Sequence, residues 1–451
     1  MEIEYTPLYK EAMLVINNGA TTAMIGWSAI IHYGTDTYAP QQVVSVNFIR
    51  DYVSSFTDEI TCTIQIPLGV YARLIYPNRL DLQITLTKVP LGEISNTVNP
   101  DDPIQSERYS ALLIDGVRSP TVGQGTEVND QNSLDLTQII DVNFQLYDKA
   151  LEQIRVMLSG GICRSTTVQD AITTILTNQA MSAVVDDKRA VSGIDMVDAD
   201  NTDEKGQIVI THGTKLIDVV DFMQARVGVY NAGIGNYIQN KFWYIYPLYD
   251  TSSFNTRIKT LTILILPKRK FASIERTFRV NGNSLTILIT SETGFKDDSG
   301  SNYVAHGNGV RFADASTLMD VGSSTSGNKL LLKRDSNNSE LVSDTAVAGI
   351  NNAPVSTSRI TANPFVEFSQ LALKKGGGFK CVWENSDSSL ITPGMAAKVI
   401  YSDNDGIETI YGIVHVVTSI SQRASGFSNA KFTNKTALTL FMNTQVSPIN
   451  S

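Results

Sequence analysis

Between Tyr237 and Tyr249 the chain runs Tyr-Ile-Gln-Asn-Lys-Phe-Trp-Tyr-Ile-Tyr-Pro-Leu-Tyr, and aromatic and β-branched residues fall on both faces of any extended backbone it forms. Such residues favour pleated structure, where successive side chains point to opposite sides. A strand apolar on both sides must be covered on both sides, by its own domain or by a neighbouring subunit. No other stretch restricts the fold as much.

The segment around it, Ile208 to Pro267, spells out one strand, one amphipathic helix, an aromatic hairpin and an apolar strand. Thr214 is placed to cap a helix carrying Leu216, Val219, Val220, Met223 and Val227 at helical spacing, and Gly228 follows where a left-handed turn is wanted. Gly233 and Gly235 then loosen the chain before the aromatic run.

Elsewhere strands dominate. Asn17-Asn18-Gly19-Ala20 predicts a hairpin between two runs from Ala12 to Tyr33. Val44, Val46 and Phe48 predict one strand, Ile60, Cys62, Ile64 and Ile66 a second, Leu82, Ile84 and Leu86 a third, and Ile140, Val142, Phe144 and Leu146 a fourth. Residues 92–107 and 120–135 are polar and predict loops. A helix with Ala150, Leu151, Ile154 and Leu158 on one face should stop before Gly160-Gly161. A second helix, over 166–179, carries a Thr166-x-x-Gln169 capping box. The acidic stretch 186–204 reads as a solvated linker, and 291–364, rich in Ser, Asn, Asp and Gly, as a long polar arm. Gly376-Gly377-Gly378 should break regular structure, and closing strands are predicted over 395–402, 407–420 and 435–442.

The organisation expected from this pattern is α+β and β-dominated, with helices sitting singly between strands. Its sections are 1–160, a helical connector and acidic linker over 161–206, a central α+β segment over 207–290, the arm over 291–364, and a C-terminal β-domain over 365–451.

A chain of 451 residues exceeds one ordinary compact domain, and its net charge of −9 opposes general nucleic-acid binding, which draws most of its affinity from neutralised phosphates. Cys62, Cys163 and Cys381 are scattered and unpaired in spacing, which argues against a disulfide framework or a zinc site and for assembly in a reducing cytoplasm. The start lacks a signal-peptide pattern, and Leu261 to Leu266 is far too short to span a bilayer, so no membrane insertion is expected.

Catalytic motifs are missing. His32, His212, His306 and His415 lack partners at ligand spacing, and there is no Gly-x-Ser-x-Gly elbow. Lys374-Lys375-Gly376-Gly377-Gly378 lacks the Lys-Ser/Thr that a phosphate loop places after its last glycine. Lys268-Arg269-Lys270 reads as a solvated turn, and Asp403-Asn404-Asp405-Gly406 as a turn without a calcium-loop pattern. No cofactor, metal or enzymatic role is expected. The unusual cluster is Tyr237, Phe242, Trp243, Tyr244, Tyr246 and Tyr249, which serves either core packing or a subunit interface, where Tyr and Trp are enriched.

The run Leu216-Ile-Asp-Val-Val-Asp-Phe-Met223, then Gly233-Ile-Gly-Asn-Tyr-Ile-Gln-Asn240 and Phe242-Trp-Tyr-Ile-Tyr-Pro-Leu-Tyr249, resembles the central region of baseplate hub proteins of contractile-tailed bacteriophages. Those proteins are related to the hub part of type VI secretion spikes and to tail tube proteins. The resemblance implies two tube-like β-barrel domains per subunit, the first over 1–160 with a flanking helix, the second assembled from 207–290 and 365–451. It implies a homotrimer that adapts a sixfold tail tube to a threefold central spike and nucleates tube assembly. Its partners would be the tail tube protein, a separate central spike protein and baseplate wedge proteins, with DNA passing through unbound. The location would be the virion tail baseplate, assembled in the host cytoplasm. A β-rich receptor- or glycan-binding virion protein is the alternative, and a wall-degrading enzyme the third reading.

Overall fold

The computed structural model describes residues 7–20, 25–90, 105–114, 137–185, 188–267, 275–290, 293–296, 322–326, 329–336, 339–344, 363–374, 376–403, 406–423 and 432–443. Of the expected loop over 92–107, residues 92–104 lie outside them and 105–107 are strand instead; the loop over 120–135, the Lys268-Arg269-Lys270 turn and His306 also lie outside them.

After helix α1 (Pro7–Asn18) come β1 (Ile25–Tyr33), β2 (Asp36–Tyr38), β3 (Gln42–Asp51), β4 (Glu59–Pro67), the helical turn α2 (Leu68–Val70), β5 (Leu82–Pro90), β6 (Gln105–Leu113) and β7 (Ile139–Tyr147). These strands pair antiparallel in the order β3-β4-β7-β6-β5-β1-β2. The sheet curls until β1 faces β3, where Trp27 and Phe48 meet at 5.7 Å between ring centroids. Every second residue points inward, so Ile60, Cys62, Ile64 and Ile66 share one core with Ile84, Val142 and Phe144. One bulge falls between Val43 and Ser45 of β3. It puts Val43 inside and leaves Val44 half-exposed, where plain alternation predicted the reverse.

The middle of the chain holds α3 (Lys149–Val156), β8 (Leu158–Thr166), α4 (Val168–Gln179), the two-residue pair β9 (Val184–Val185) and β10 (Lys188–Arg189), β11 (Gly193–Met196), β12 (Lys205–Lys215), α5 (Val219–Arg226), β13 (Ile234–Gln239) and β14 (Phe242–Pro247). The helices are separate in sequence but gather in space. Ile154, Ile172, Val220 and Met223 share a core with Trp243 and Ile245.

The last part contains β15 (Thr260–Ile265), β16 (Phe278–Asn281), β17 (Ser284–Ile289), β18 (Thr293–Lys296), β19 (Gly322–Ser326), β20 (Lys329–Ser336), β21 (Ser339–Asp344), α6 (Pro364–Lys374), β22 (Gly376–Glu384), β23 (Ala396–Asp403), β24 (Gly406–Arg423) and β25 (Phe432–Asn443). Its strands run β16-β17-β15-β23-β24, with β25, β22 and β18 added beyond β24. Phe278 on β16 packs edge-on against Trp383 on β22 at 5.4 Å, bringing the two ends of this half together. β15 pairs parallel with both β17 and β23, and both its faces are buried, Leu261 and Ile263 in the main core and Leu264 beneath α1. Parallel strands covered on both sides have continuous apolar sequences, which accounts for Leu261 to Leu266.

The long hairpin β24–β25 belongs to both halves. β24 pairs with β23 through its first part and with β3 through its last, all within one fifteen-stranded sheet. Phe432 at one end of β25 enters the first core, while Leu438 and Leu440 enter the second.

Several expectations are corrected. Residues 7–18 are helix, not a hairpin arm, because Leu8, Ala12 and Val15 form a helical stripe that packs on β15 and β17, and Gly19 closes the helix by donating to Val15 O. Thr214 lies in β12 and caps nothing; a 3-10 turn over Leu216–Asp218 leads into α5, which does end at Gly228 with φ +84°. The box on α4 is shifted by one residue, with Thr167 Oγ1 accepting from the Asp170 backbone N–H. Leu158 and Gly160-Gly161 belong to a strand paired with β12, not to a helix end. The described part of the expected linker, 188–204, is no solvated linker: Ala190, Val191 and Ala199 are buried and Asn201 Nδ2 donates to Gly228 O at 2.8 Å. Within the polar arm, β19–β21 form an antiparallel three-stranded sheet. Gly376-Gly377-Gly378 continue β22, because a Cβ on Gly376 would fall 2.1 Å from the Phe441 ring.

Candidate functional site

The aromatic run folds back on itself. Asn240 and Lys241 both adopt positive φ, 50° and 64°, as a two-residue hairpin turn of the primed kind requires, and β13 pairs with β14 on either side. The hairpin lies between two cores. Tyr237, Tyr244 and Tyr246 enter the core of the second half, Trp243 enters the helical core, Tyr249 is half-buried at the edge of the former, and Phe242, 43% exposed, faces outward. The cover over both faces of β14 comes from the chain itself.

The hairpin also carries a polar junction that sequence spacing did not reveal. Inward positions on β3 and β5, at the end of the first barrel-like half, are occupied by Arg50 and Lys88. Both cations are buried and both are paired. Arg50 Nε donates to Asp58 Oδ2 at 2.9 Å and its Nη1 to Ser388 O at 2.7 Å, while Lys88 Nζ lies 3.0 Å from Asp387 Oδ2. Asp387 and Ser388 belong to the segment between β22 and β23, so the second half closes the mouth of the first.

Asp58 spends its other oxygen on the hairpin, accepting from Tyr237 OH at 3.0 Å. Tyr52 OH donates to Gln239 Oε1 at 2.9 Å, and Gln239 Nε2 donates to Ile391 O at 2.8 Å. Burial alone would depress the Arg50 guanidinium, but Asp58 beside it outweighs this and holds the charge. Burial and the Asp58 carboxylate keep Tyr237 protonated far above the usual phenol range. Nearby, His415 Nε2 donates to Leu248 O at 2.9 Å and stacks on Phe441, and its burial brings its pKa down to about 4. Tyr237 and Gln239 share β13, but the other members come from separate strands and turns of both halves, so no local pattern could have grouped them.

Acidic groups do converge at this junction, around Asp58, Glu107 and Glu152. The cavity they line measures about 50 Å³, room for one or two waters and far below the roughly 300 Å³ at which ligand pockets begin. One oxygen of each glutamate is engaged: Glu107 Oε2 accepts from Tyr109 OH at 2.7 Å and Glu152 Oε2 from Ser110 Oγ at 3.3 Å. A sugar ring flanked by two carboxyls, as glycoside hydrolysis demands, does not fit.

Two surfaces are open. The ribbon β8–β12 pairs with no other strand among the described residues and shows the cross-strand pair Ile162 and Val209 to solvent. On the first half, the outward face of β24-β3-β4-β7 carries hydroxyls and amides bonded to each other, with the exposed Ile49 and Ile420 and the carboxylates Glu59 and Asp141 among them. Ser45 Oγ donates to Thr63 Oγ1 at 3.1 Å, Thr63 Oγ1 to Asn143 Oδ1 at 2.8 Å, and Asn47 Nδ2 to Thr61 Oγ1 at 3.3 Å. No lysine or arginine points outward from these rows.

Compared by sequence, the chain matches no family model and no curated protein. Compared by structure, it is similar to a tail protein from Neisseria meningitidis MC58, at 10% identity and a TM-score of 0.47, covering 92% of this chain and 96% of that one. It is also similar to the 43 kDa tail protein of prophage MuSo2 from Shewanella oneidensis, at 9% identity and a TM-score of 0.46, covering 92% and 98%. A third likeness, at 10% identity and a TM-score of 0.36, is to an E. coli component of the type VI secretion system, covering 92% and 76%.

Proposed function

We propose that the chain is a structural subunit of a phage-type tail, a baseplate hub whose three copies form a collar between tail tube and central spike. The observation that carries this reading is the pair of barrel-like halves fused through β24–β25. Three copies of a two-lobed chain present six lobes to a sixfold tube while keeping threefold symmetry toward a spike. The likeness of residues 216–249 to hub proteins supports it, as does a junction cavity too small for a substrate. Strand edges left unpaired in one copy, on β8 and β12, are available to the next.

The plate of β24-β3-β4-β7, polar and acidic without an outward cation, is the wall we assign to the DNA passage. Hydroxyls and amides that bond to each other offer no cation to a phosphate, so a polyanion slides past without being held. Wedge proteins would meet the outer surface, and the assembled particle would place this chain in the virion baseplate. Native mass spectrometry with electron microscopy of the purified protein tests the reading. A trimer with an axial opening and six similar lobes is expected; a monomer without an opening, even with the central spike chain added, overturns it.

The same hydroxyl-rich plate favours one second reading, a glycan-binding virion protein. Binding to a glycan array that Thr63→Lys removes, in a protein that stays monomeric, would select it.

A further inference from the structure

We propose that the ribbon β8–β12 of one copy adds to the open edge of β11 in a second copy of this chain, so that copies join head to tail. The inference rests on the collar reading for the number of copies and goes beyond it in naming both joining edges.

Among the described residues β8 and β12 pair only with each other, and β11 pairs only with β14. Both surfaces are rooted in the helical core, where α4 packs against β8, β12 and β11. The ribbon spends its inner face on that core through Cys163, Ile208 and Ile210. Its other face carries Leu158, Ile162 and Val209, which are 64%, 56% and 50% exposed. Strand alternation places all three on one side, with Ile162 directly opposite Val209. Strands of nine and eleven residues with free edges, an apolar face and no proline are what proteins normally cover with another strand.

The receiving edge presents a matching apolar group. Phe242 on β14, 43% exposed, lies opposite Gly193 of β11, and a Cβ on Gly193 would fall 2.7 Å from its ring. The aromatic therefore leans over the glycine toward the open edge, where a strand added to β11 would meet it.

Charge selects a sibling copy as the occupant. The two ribbon strands hold Arg164, Lys205 and Lys215 and no carboxylate, in a chain of net charge −9. Lys205 pairs with Asp203. Arg164 and Lys215 are both exposed and share the face of Leu158 and Ile162. Two ribbons brought together would set these cations against each other, which opposes ribbon-to-ribbon pairing. On β11 and just after it, Asp195, Asp198 and Asp200 are all exposed, with Glu204 further on. Arg257, Lys259 and Lys241 border this run and offset part of its charge. The remaining attraction sets orientation, while the apolar contact supplies the affinity. Joining two different patches is a heterologous contact, which closes into a ring when the rotation between copies allows it.

The test measures the mass of the full chain by native mass spectrometry and analytical ultracentrifugation. The wild type is compared with a ribbon variant, Arg164→Glu with Lys215→Glu, with Phe242→Ser, and with a variant that adds Asp195→Lys and Glu204→Lys to the ribbon pair. All these positions are exposed, and circular dichroism checks that each variant folds. The wild type should form a trimer, the ribbon variant and Phe242→Ser should associate about tenfold or more weakly, and the added β11 reversal should restore the trimer. A wild-type trimer that Phe242→Ser or the ribbon variant fails to weaken, or a weakened one that the β11 reversal leaves unrestored, overturns the inference and leaves the collar reading standing. A wild type that stays monomeric at every concentration overturns that reading, and the inference with it. Should a charge variant fail to fold, Phe242→Ser alone decides.

Discussion

The two barrel-like halves solve one packing problem with different wiring. Strands of the first come from one contiguous stretch, residues 25–147, and pair antiparallel. The second joins β15–β17 to β22–β25 across more than eighty intervening residues and relies on the parallel pairs β15–β17 and β15–β23. Local antiparallel pairing closes small loops, whereas the distant parallel pairing orders much more chain before any contact compensates. The first half should therefore form early and template the second through β3 and β24.

The junction is where this comparison breaks most easily. Asp58→Ala leaves Arg50 buried without its charge partner and Tyr237 without its acceptor, and should cost roughly 3–5 kcal/mol. Urea unfolding measures it, and Arg50→Met with Asp58→Leu should recover most of the loss; a small cost for Asp58→Ala alone would show the halves to be independent. Next come matched core truncations. Ile64→Ala and Ile263→Ala remove fully buried side chains from the first and second cores and should each cost about 2–5 kcal/mol. Stopped-flow kinetics should separate them, Ile64→Ala mainly slowing folding and Ile263→Ala mainly speeding unfolding. The reverse assignment would invert the proposed order.

His415, on the shared strand β24, sharpens the comparison through pH. Burial lowers its pKa to about 4 in the folded chain, against about 6.5 when unfolded. The unfolded chain thus takes up the proton first, so stability is full above pH 6.5 and is lost as pH falls from there toward 4. The loss is on the order of 3 kcal/mol. In His415→Gln, whose amide can still donate to Leu248 O, the slope of stability between pH 7 and 4.5 should flatten. The smallest effect belongs to the hairpin turn. Lys241→Gly relieves a positive φ and should stabilise by about 0.5–1 kcal/mol in thermal unfolding.

The alternation of Ile60, Cys62, Ile64 and Ile66 and of Ile140, Val142, Phe144 and Leu146 identified strands of the first half correctly, because period-two burial needs nothing beyond neighbouring residues. Gly228 likewise ended α5 where expected. Errors gathered where distant packing overrode local chemistry. Asn18-Gly19 terminates a helix held by β15 and β17, Gly376-Gly378 run on as strand beneath Phe441, and the described part of the acidic stretch, 188–204, is pinned against the helical core. The Arg50–Asp58–Tyr237 junction was illegible. Asp58 lies eight residues from Arg50, but Tyr237 lies 179 residues beyond it, and each alone looks like a surface polar residue.

By itself the sequence determined that the chain is β-dominated, that β14 is apolar on both faces, and where most strands lie, since these depend on side-chain periodicity along a few residues. Only the tertiary structure decided that two cores share one hairpin and that buried ion pairs close the mouth of the first. Pairing of residues hundreds of positions apart is set by which buried charges and apolar faces can be satisfied together, and that choice exists only once the whole sheet has formed.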